Sequence, residues 1–277
     1  MSDYPANREK EDSSSELLDQ AIRLEREAHH LKEEGKVDQA FYAFDRAGSN
    51  YRQIKEPFKA AICFASAASC WNIHTGRQPL RNAATRNESA AHEALVAGHF
   101  SYARSLFREA ALLYELEGNY HSQSLCFYAA QNSHVRHLWS IFWKGRESEG
   151  FGQIEVKVSW VRRLYVLLRS FLGLMSLLIW GHGEKPFRTI LTAGVIIVAS
   201  AVVYVLSGLV SAGGMKEALN FFEGLYFSVV TYTTLGYGDL TPLGWARGVA
   251  MFEALSGIIL TPLFLVALSR RYLRIYH

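Results

Sequence analysis

An all-α protein in two parts is what the 277-residue sequence predicts. An N-terminal α-solenoid of helical hairpins is followed by a module of two membrane-spanning helices with a short re-entrant helix between them. Three observations carry that prediction. Residues 1–150 hold 18 Lys+Arg against 20 Asp+Glu, a net −2, whereas residues 151–277 hold 11 against 6, a net +5. The first part repeats a pattern of aromatic and alanine positions. The second contains two apolar runs of 21 residues each, and about 20 helical residues cross a hydrocarbon core. The chain-wide averages, 49% hydrophobic and 20% charged, exclude only disordered, collagenous and disulfide-framework classes.

Residues 1–15 are polar and lack the apolar core of a secretory signal, so a tail without a cleavable leader is expected. Over 16–142 an aromatic recurs at Phe44, Phe64, Phe107 and Phe127, each with an alanine three residues on, at Ala47, Ala67, Ala110 and Ala130. The spacings of 20, 43 and 20 imply about 20 residues per helix and 40 per hairpin, with one helix near 80–96 lacking the aromatic. Small residues at fixed places let neighbouring helices pack closely, and stacking buries the aromatics. Cys63, Cys70 and Cys126 lie among apolar neighbours with no ligand spacing, which points to reduced thiols in a cytosolic domain. His29, His30, His92, His99, His121, His134 and His137 show no metal or triad spacing and are read as surface or packing residues. No nucleotide loop, zinc pattern or nucleophile constellation is present, so the expectation is a non-enzyme with no catalytic residues and no cofactor.

A polar, glycine-bearing linker is expected over 143–158. Over 159–180, Ser159, Arg162, Arg163, Arg169, Ser170, Gly173 and Ser176 fall near one stripe of an otherwise apolar helix. That pattern suits a helix lying in the membrane interface with its arginines toward headgroups; a full span is the competing reading. The arginines are not spaced every third residue, which argues against a voltage-sensing helix.

Residues 190–210 contain no charge and read as an outer spanning helix, and 245–268 as an inner one whose apolar run, 248–268, holds a single charge, Glu253. An ionisable residue at that depth must face protein or water, so Glu253 is a candidate for function or for a polar network. Lys185 and Arg188 precede the first run and Arg270, Arg271 and Arg274 follow the second. By the positive-inside tendency both termini are cytoplasmic. Between the runs, 219–233 is too apolar for an exposed loop and fits a helix re-entering the membrane within protein, with Glu217 or Glu223 near its positive N-terminal end.

The next residues are Thr233-Thr234-Leu235-Gly236-Tyr237-Gly238-Asp239. Stripping water from a potassium ion requires stacked rings of oxygens to replace its hydration shell, and a backbone that turns successive carbonyls to one axis must visit positive φ. Gly236 and Gly238 allow that without a Cβ clash. These residues resemble the pore domain of two-transmembrane-helix potassium channels, over about a third of the chain, 181–271.

The resemblance implies a selectivity filter at Thr234, Leu235, Gly236, Tyr237 and Gly238. Potassium would meet the carbonyls of Thr234, Leu235, Gly236 and Tyr237, with the Thr234 hydroxyl at the inner end. It implies filter support from Tyr226, Phe227 and Asp239, a hinge at Gly257, and a homotetramer in the cell membrane. Leu235 stands where valine is usual. Val230 stands where some relatives carry a glutamate paired with the filter aspartate, so Glu253 is the expected substitute anchor. Pro262 removes a helix hydrogen bond and kinks the inner helix, and Ile258, Thr261 and Leu265 on the side of Gly257 are the expected cavity and gate lining.

The first part resembles tetratricopeptide-like solenoids and the helical arrays of SNAP-type adaptors, which implies a protein or peptide partner or a role in assembly; no nucleic-acid partner is expected. The reading is a potassium channel with a regulatory repeat domain. Its alternatives are a weakly selective monovalent cation channel and a membrane-tethered adaptor.

Overall fold

The computed structural model describes residues 4–71, 77–149, 154–212, 215–216 and 219–273. They form two compact units, Met1–Gly173 and Leu174–His277.

The first unit begins with six helices: α1 (Tyr4–Glu33), α2 (Val37–Gln53), α3 (Pro57–Trp71), α4 (Arg77–Val96), α5 (Phe100–Glu117) and α6 (Tyr120–Lys144). Each packs against the next in sequence. Alanines at the contacts, among them Ala21, Ala28, Ala47, Ala67, Ala91 and Ala110, are fully buried, so the axes approach closely and Phe44, Phe64 and Phe107 fill the space between them. The array expected from the repeat is present, and the helix without an aromatic is α4. The expected polar tail differs: α1 already begins at Tyr4.

The repeating unit is three helices rather than a hairpin of two. Offset by 63 positions, α1–α3 superimpose in sequence on α4–α6: Ala21 on Ala84, Glu25 on Glu88, His29 on His92, Gly35 on Gly98, Phe44 on Phe107, Tyr51 on Tyr114 and Cys63 on Cys126. The contacts repeat with the residues. The Tyr51 hydroxyl donates to Glu25 at 2.7 Å and that of Tyr114 to Glu88 at 2.8 Å. His29 meets Phe44 edge-on at 5.0 Å, and His92 meets Phe107 edge-on at 5.1 Å. The turns match too, with left-handed φ of 76° at Gly35 and 80° at Gly98. The aromatics carry the same offset, Phe44 to Phe107 and Phe64 to Phe127, while α1 and α4 are marked by alanine, glutamate and histidine.

Cys63 and Cys126 occupy equivalent buried places, and burial, followed by the nearby carboxylates of Glu25 and Glu88 respectively, pushes each thiol up to about 12. Both therefore stay protonated at pH 8, where a thiolate is the reacting species. In a thiol-titration assay at that pH the native chain is expected to leave both unmodified while the denatured chain reacts at all three cysteines. Rapid modification of Cys63 or Cys126 without denaturant contradicts this packing.

The segment expected as a linker carries a two-stranded antiparallel ribbon, β1 (Arg146–Glu149) with β2 (Ile154–Lys157), in the register Arg146 to Lys157. The glycines at 150 and 152 lie outside the described residues. Then α7 (Trp160–Trp180) runs unbroken. Of the stripe expected to face headgroups, Arg162 and Arg169 are exposed while Ser170 and Gly173 pack inward. Val166 packs on Leu138 and Ile141 of α6, Ser170 is buried, and Gly173 abuts Val135, where a Cβ would come within 2.7 Å of a methyl. Its opposite face, Val161, Leu164, Leu168 and Phe171, is apolar and exposed. Glycine and serine on this stripe mark close helix contact, a signal that composition alone cannot separate from polarity.

In the second unit a 3-10 turn (Gly181–Gly183) leads into α8 (Pro186–Ser207), followed by β3 (Val210–Ala212), β4 (Met215–Lys216), α9 (Phe221–Tyr232), β5 (Leu240–Pro242) and α10 (Ala246–Leu273). Pro186 opens α8, where a missing N–H is harmless, and Gly208 closes it with φ 58°. Helices α8, α9 and α10 pack on one another, with a core of Tyr204, Val210, Leu219, Phe227 and Ala246. Among the described residues three helical segments are long and apolar enough to cross a membrane: Trp160–Gly183, Pro186–Ser207 and Ala246–Ser269.

Candidate functional site

The helix expected to re-enter the membrane is α9, and its start is built by a reciprocal cap. The Asn220 side chain accepts from the Glu223 amide at 2.9 Å, and the Glu223 carboxylate accepts from the Asn220 amide at 2.8 Å. Of the two acids expected near this end, Glu223 is thus placed; Glu217 lies outside the described residues. One side of α9, Gly224, Phe227, Ser228, Val230 and Tyr232, is buried, with Gly224 against the Ala201 carbonyl of α8, where a Cβ would sit at 3.1 Å; Phe221, Phe222 and Val229 are exposed.

The helix ends through Thr233, whose hydroxyl donates to the Val229 carbonyl at 2.7 Å, and through amides of Thr234 and Leu235 that reach Thr231 and Val230 at 3.0 Å each. Beyond it the backbone takes positive φ at every second residue: 57° at Thr234, 57° at Gly236 and 81° at Gly238. The glycines are legible in the sequence. Thr234 is not, since a branched residue at positive φ is strained and sequence preference argues against it. Such strain, about 1–3 kcal/mol, persists only where the surroundings over-determine the backbone. A Cβ at Gly236 or Gly238 would meet nothing within 4 Å, so conformation, not crowding inside the chain, reserves those positions for glycine.

Residues 233–239 are all exposed in the single chain, including Leu235 and Tyr237 at 60% and 67%. The backbone beyond Asp239 is pinned. β5 pairs antiparallel with β3 at the end of α8, in the register Ser211 to Thr241, and the Leu243 amide donates to the Leu209 carbonyl at 2.8 Å. This small sheet, β4-β3-β5, is not anticipated by the sequence, which reads there only as a segment leading into α10.

The expected filter supports separate into two groups. Tyr226 donates its hydroxyl to Asp239 at 2.8 Å, tying α9 to the far end of the glycine segment. This corrects the expectation for Asp239: its anchor is Tyr226, not Glu253. Phe227 is buried against Tyr204 of α8, edge-on at 4.7 Å, and so supports the segment from behind through helix packing.

Glu253 is completely buried and joins three helices. It accepts from the Tyr204 hydroxyl of α8 at 2.7 Å and from the Ser228 hydroxyl of α9. Tyr204 and Ser228 are absent from the sequence expectations, because nothing local marks which hydroxyl will meet a carboxylate 49 or 25 positions away.

Gly257 lies on α10 against the end of α9, its Cα facing the Tyr232 carbonyl. Ile258, Thr261, Pro262 and Leu265 lie further along α10, and all four are exposed. Pro262 is inside the helix, as expected.

Residues 191–274 match the family model described as "Ion channel". Protein LctB of Bacillus caldotenax is 46% identical to this chain over 46 residues, 16% of this chain and 34% of that protein. The chain thus spans about a third of the length of that curated relative. No solved structure matches.

Proposed function

We propose that the chain is a potassium-selective channel whose pore is completed by four copies around one axis. The observation that carries the reading is the backbone at 234–238. Left-handed residues at every second position, on an exposed segment braced by Tyr226, β5 and α10, support carbonyl rings at Thr234, Leu235, Gly236 and Tyr237 once copies face one another. In that arrangement the exposed Ile258, Thr261 and Leu265 face the axis below the filter, and Gly257 with Pro262 shapes α10. The protein resides in the cell membrane and conducts passively, with its termini in the cytoplasm. The helical array regulates the pore or its assembly through a cytosolic protein or peptide. Helix α7 lies in the interface, since one of its faces packs on α6 of the array while the other is apolar and exposed.

The test is the reversal potential of purified protein in liposomes under opposed potassium and sodium gradients. The expected value follows the potassium gradient; no current, or a potential indifferent to potassium, refutes the proposal. In the same assay Gly236→Ala is expected to abolish potassium flux. A non-glycine residue in the left-handed region costs about 1–2 kcal/mol, or ~4–8 kcal/mol over a ring of four. At ~1.4 kcal/mol per tenfold, the conducting conformation falls by more than about a hundredfold. Wild-type flux in this variant displaces the filter from residues 234–238.

A further inference from the structure

The duplicated three-helix units serve as an internal comparison. In the first, Phe41 of α2 packs edge-on against Trp71 of α3 at 5.2 Å, and Asp45, one turn along, meets Arg86 of α4 at 2.8 Å. At the same offset of 63 positions the second unit carries Arg104, His134 and Arg108. An aromatic pair beside an acid has become a guanidinium–imidazole pair beside a second guanidinium. Arg104 Nη1 lies 3.0 Å from His134 Nδ1.

The proton positions follow from the chemistry of the pair. A guanidinium only donates, so His134 Nδ1 accepts and Nε2 carries the ring proton. That Nε2–H is buried and has no acceptor among the described residues. Burial first, then Arg104, Arg169 and His137, pull the imidazole down to about 4, so the ring is neutral at pH 7 and the orphan donor persists. Arg169 comes from α7 and also acts on Arg104, as does Arg108. Among the described residues no ion pair joins Arg104, Arg108 or Arg169 to a carboxylate. Arg108, one turn along α5 from Arg104, and Arg169 of α7 thus act on the pair electrostatically, and the buried donor has no acceptor among the described residues.

We propose that the junction of α5, α6 and α7 binds a phosphate-type anion, held by Arg104, Arg108 and Arg169 and by the Nε2–H of His134. Planar guanidinium groups match tetrahedral oxyanions bidentately, and the anion supplies the acceptor that His134 lacks. The phosphate comes from a soluble compound or from a lipid headgroup, which the exposed apolar face of α7 would bring to the same depth. The site does not depend on what the second unit conducts.

The full chain in neutral detergent is titrated with inorganic phosphate against sodium chloride at constant ionic strength, reading equilibrium dialysis and the unfolding midpoint. A second arm replaces inorganic phosphate by micelles containing phosphatidic acid. Saturable binding in either arm is expected, and the arm in which it is tighter identifies the source. Arg169→Gln, on an exposed stretch of α7, weakens it about tenfold, as the loss of one charge-assisted hydrogen bond implies. The double variant Arg104→Phe, His134→Trp rebuilds the pair that the first unit already packs and abolishes binding with the array folded by circular dichroism. No saturable binding in either arm, or undiminished binding in both variants, overturns the proposal.

Discussion

Replacing Gly257 by alanine is expected to destabilise the second unit by about 3 kcal/mol or more, at the upper end of what overpacking costs, while Gly248→Ala on the same helix changes little. The chemistry of the two substitutions is identical, and both add the same gain in helix propensity, about 1 kcal/mol. Their surroundings are not. A Cβ at Gly257 would lie 2.0 Å from the Tyr232 carbonyl oxygen and 3.0 Å from its carbon, whereas at Gly248 it meets nothing within 4 Å. The obstructing atom is backbone in the last turn of α9, so no side chain can rotate away. Tyr232 is followed directly by Thr233 and Thr234, so any shift that relieves the clash moves the start of the strained segment. The unfolding midpoint in detergent and the potassium flux in liposomes should therefore fall together in Gly257→Ala and stay near wild type in Gly248→Ala. A wild-type midpoint for Gly257→Ala sinks the argument from close approach and returns the position to the role of a hinge.

Glu253→Leu is the second large effect. The carboxylate accepts from Tyr204 and Ser228 in a completely buried setting, with Ser200 as a further hydroxyl partner, so removing it strands at least the first two donors between α8, α9 and α10. Each stranded donor costs about 1–3 kcal/mol, giving ~2–6 kcal/mol for the pair. Ser228 has a fallback in the Ile197 carbonyl at 2.8 Å, which places the expected loss toward the lower end. Glu253→Gln keeps an acceptor oxygen, and hydroxyls can reorient to accept from the new amide, so its loss should be much smaller. Adding Tyr204→Phe to Glu253→Leu removes one stranded donor and should recover part of the stability, a positive coupling readable in a double-mutant cycle. Strict additivity of those two substitutions would show that the hydrogen bond contributes nothing.

The expected filter role of Glu253 illustrates how far a linear reading reaches. Its depth in an apolar run told that it needs a partner, and that was right, but the partner expected was the filter aspartate. Tyr226 takes that place because it sits on the face of α9 from which a tyrosine reaches the returning backbone, a fact of three-dimensional distance rather than of spacing. The same holds for α7. Glycine and serine among its arginines look like a polar stripe, and only the presence of Val135, Leu138 and Ile141 opposite shows that they serve close packing against α6.

By itself the sequence determined the class of the helical elements: apolar runs long enough to span a bilayer, an alanine-rich array, and glycines at two of the positions where the chain turns left-handed. These are local properties, set by hydropathy over a window or by the Ramachandran limits of one residue, and they survive without knowledge of the neighbours. Tertiary structure alone decided the paired Tyr–Glu bonds of the two three-helix units, the strained φ of Thr234, the β3–β5 pairing beyond residues 234–238 and the burial of Glu253 among three helices. Each of those depends on which surfaces come together across tens of residues, where the energy of a contact rests on packing geometry that no single stretch of chain contains.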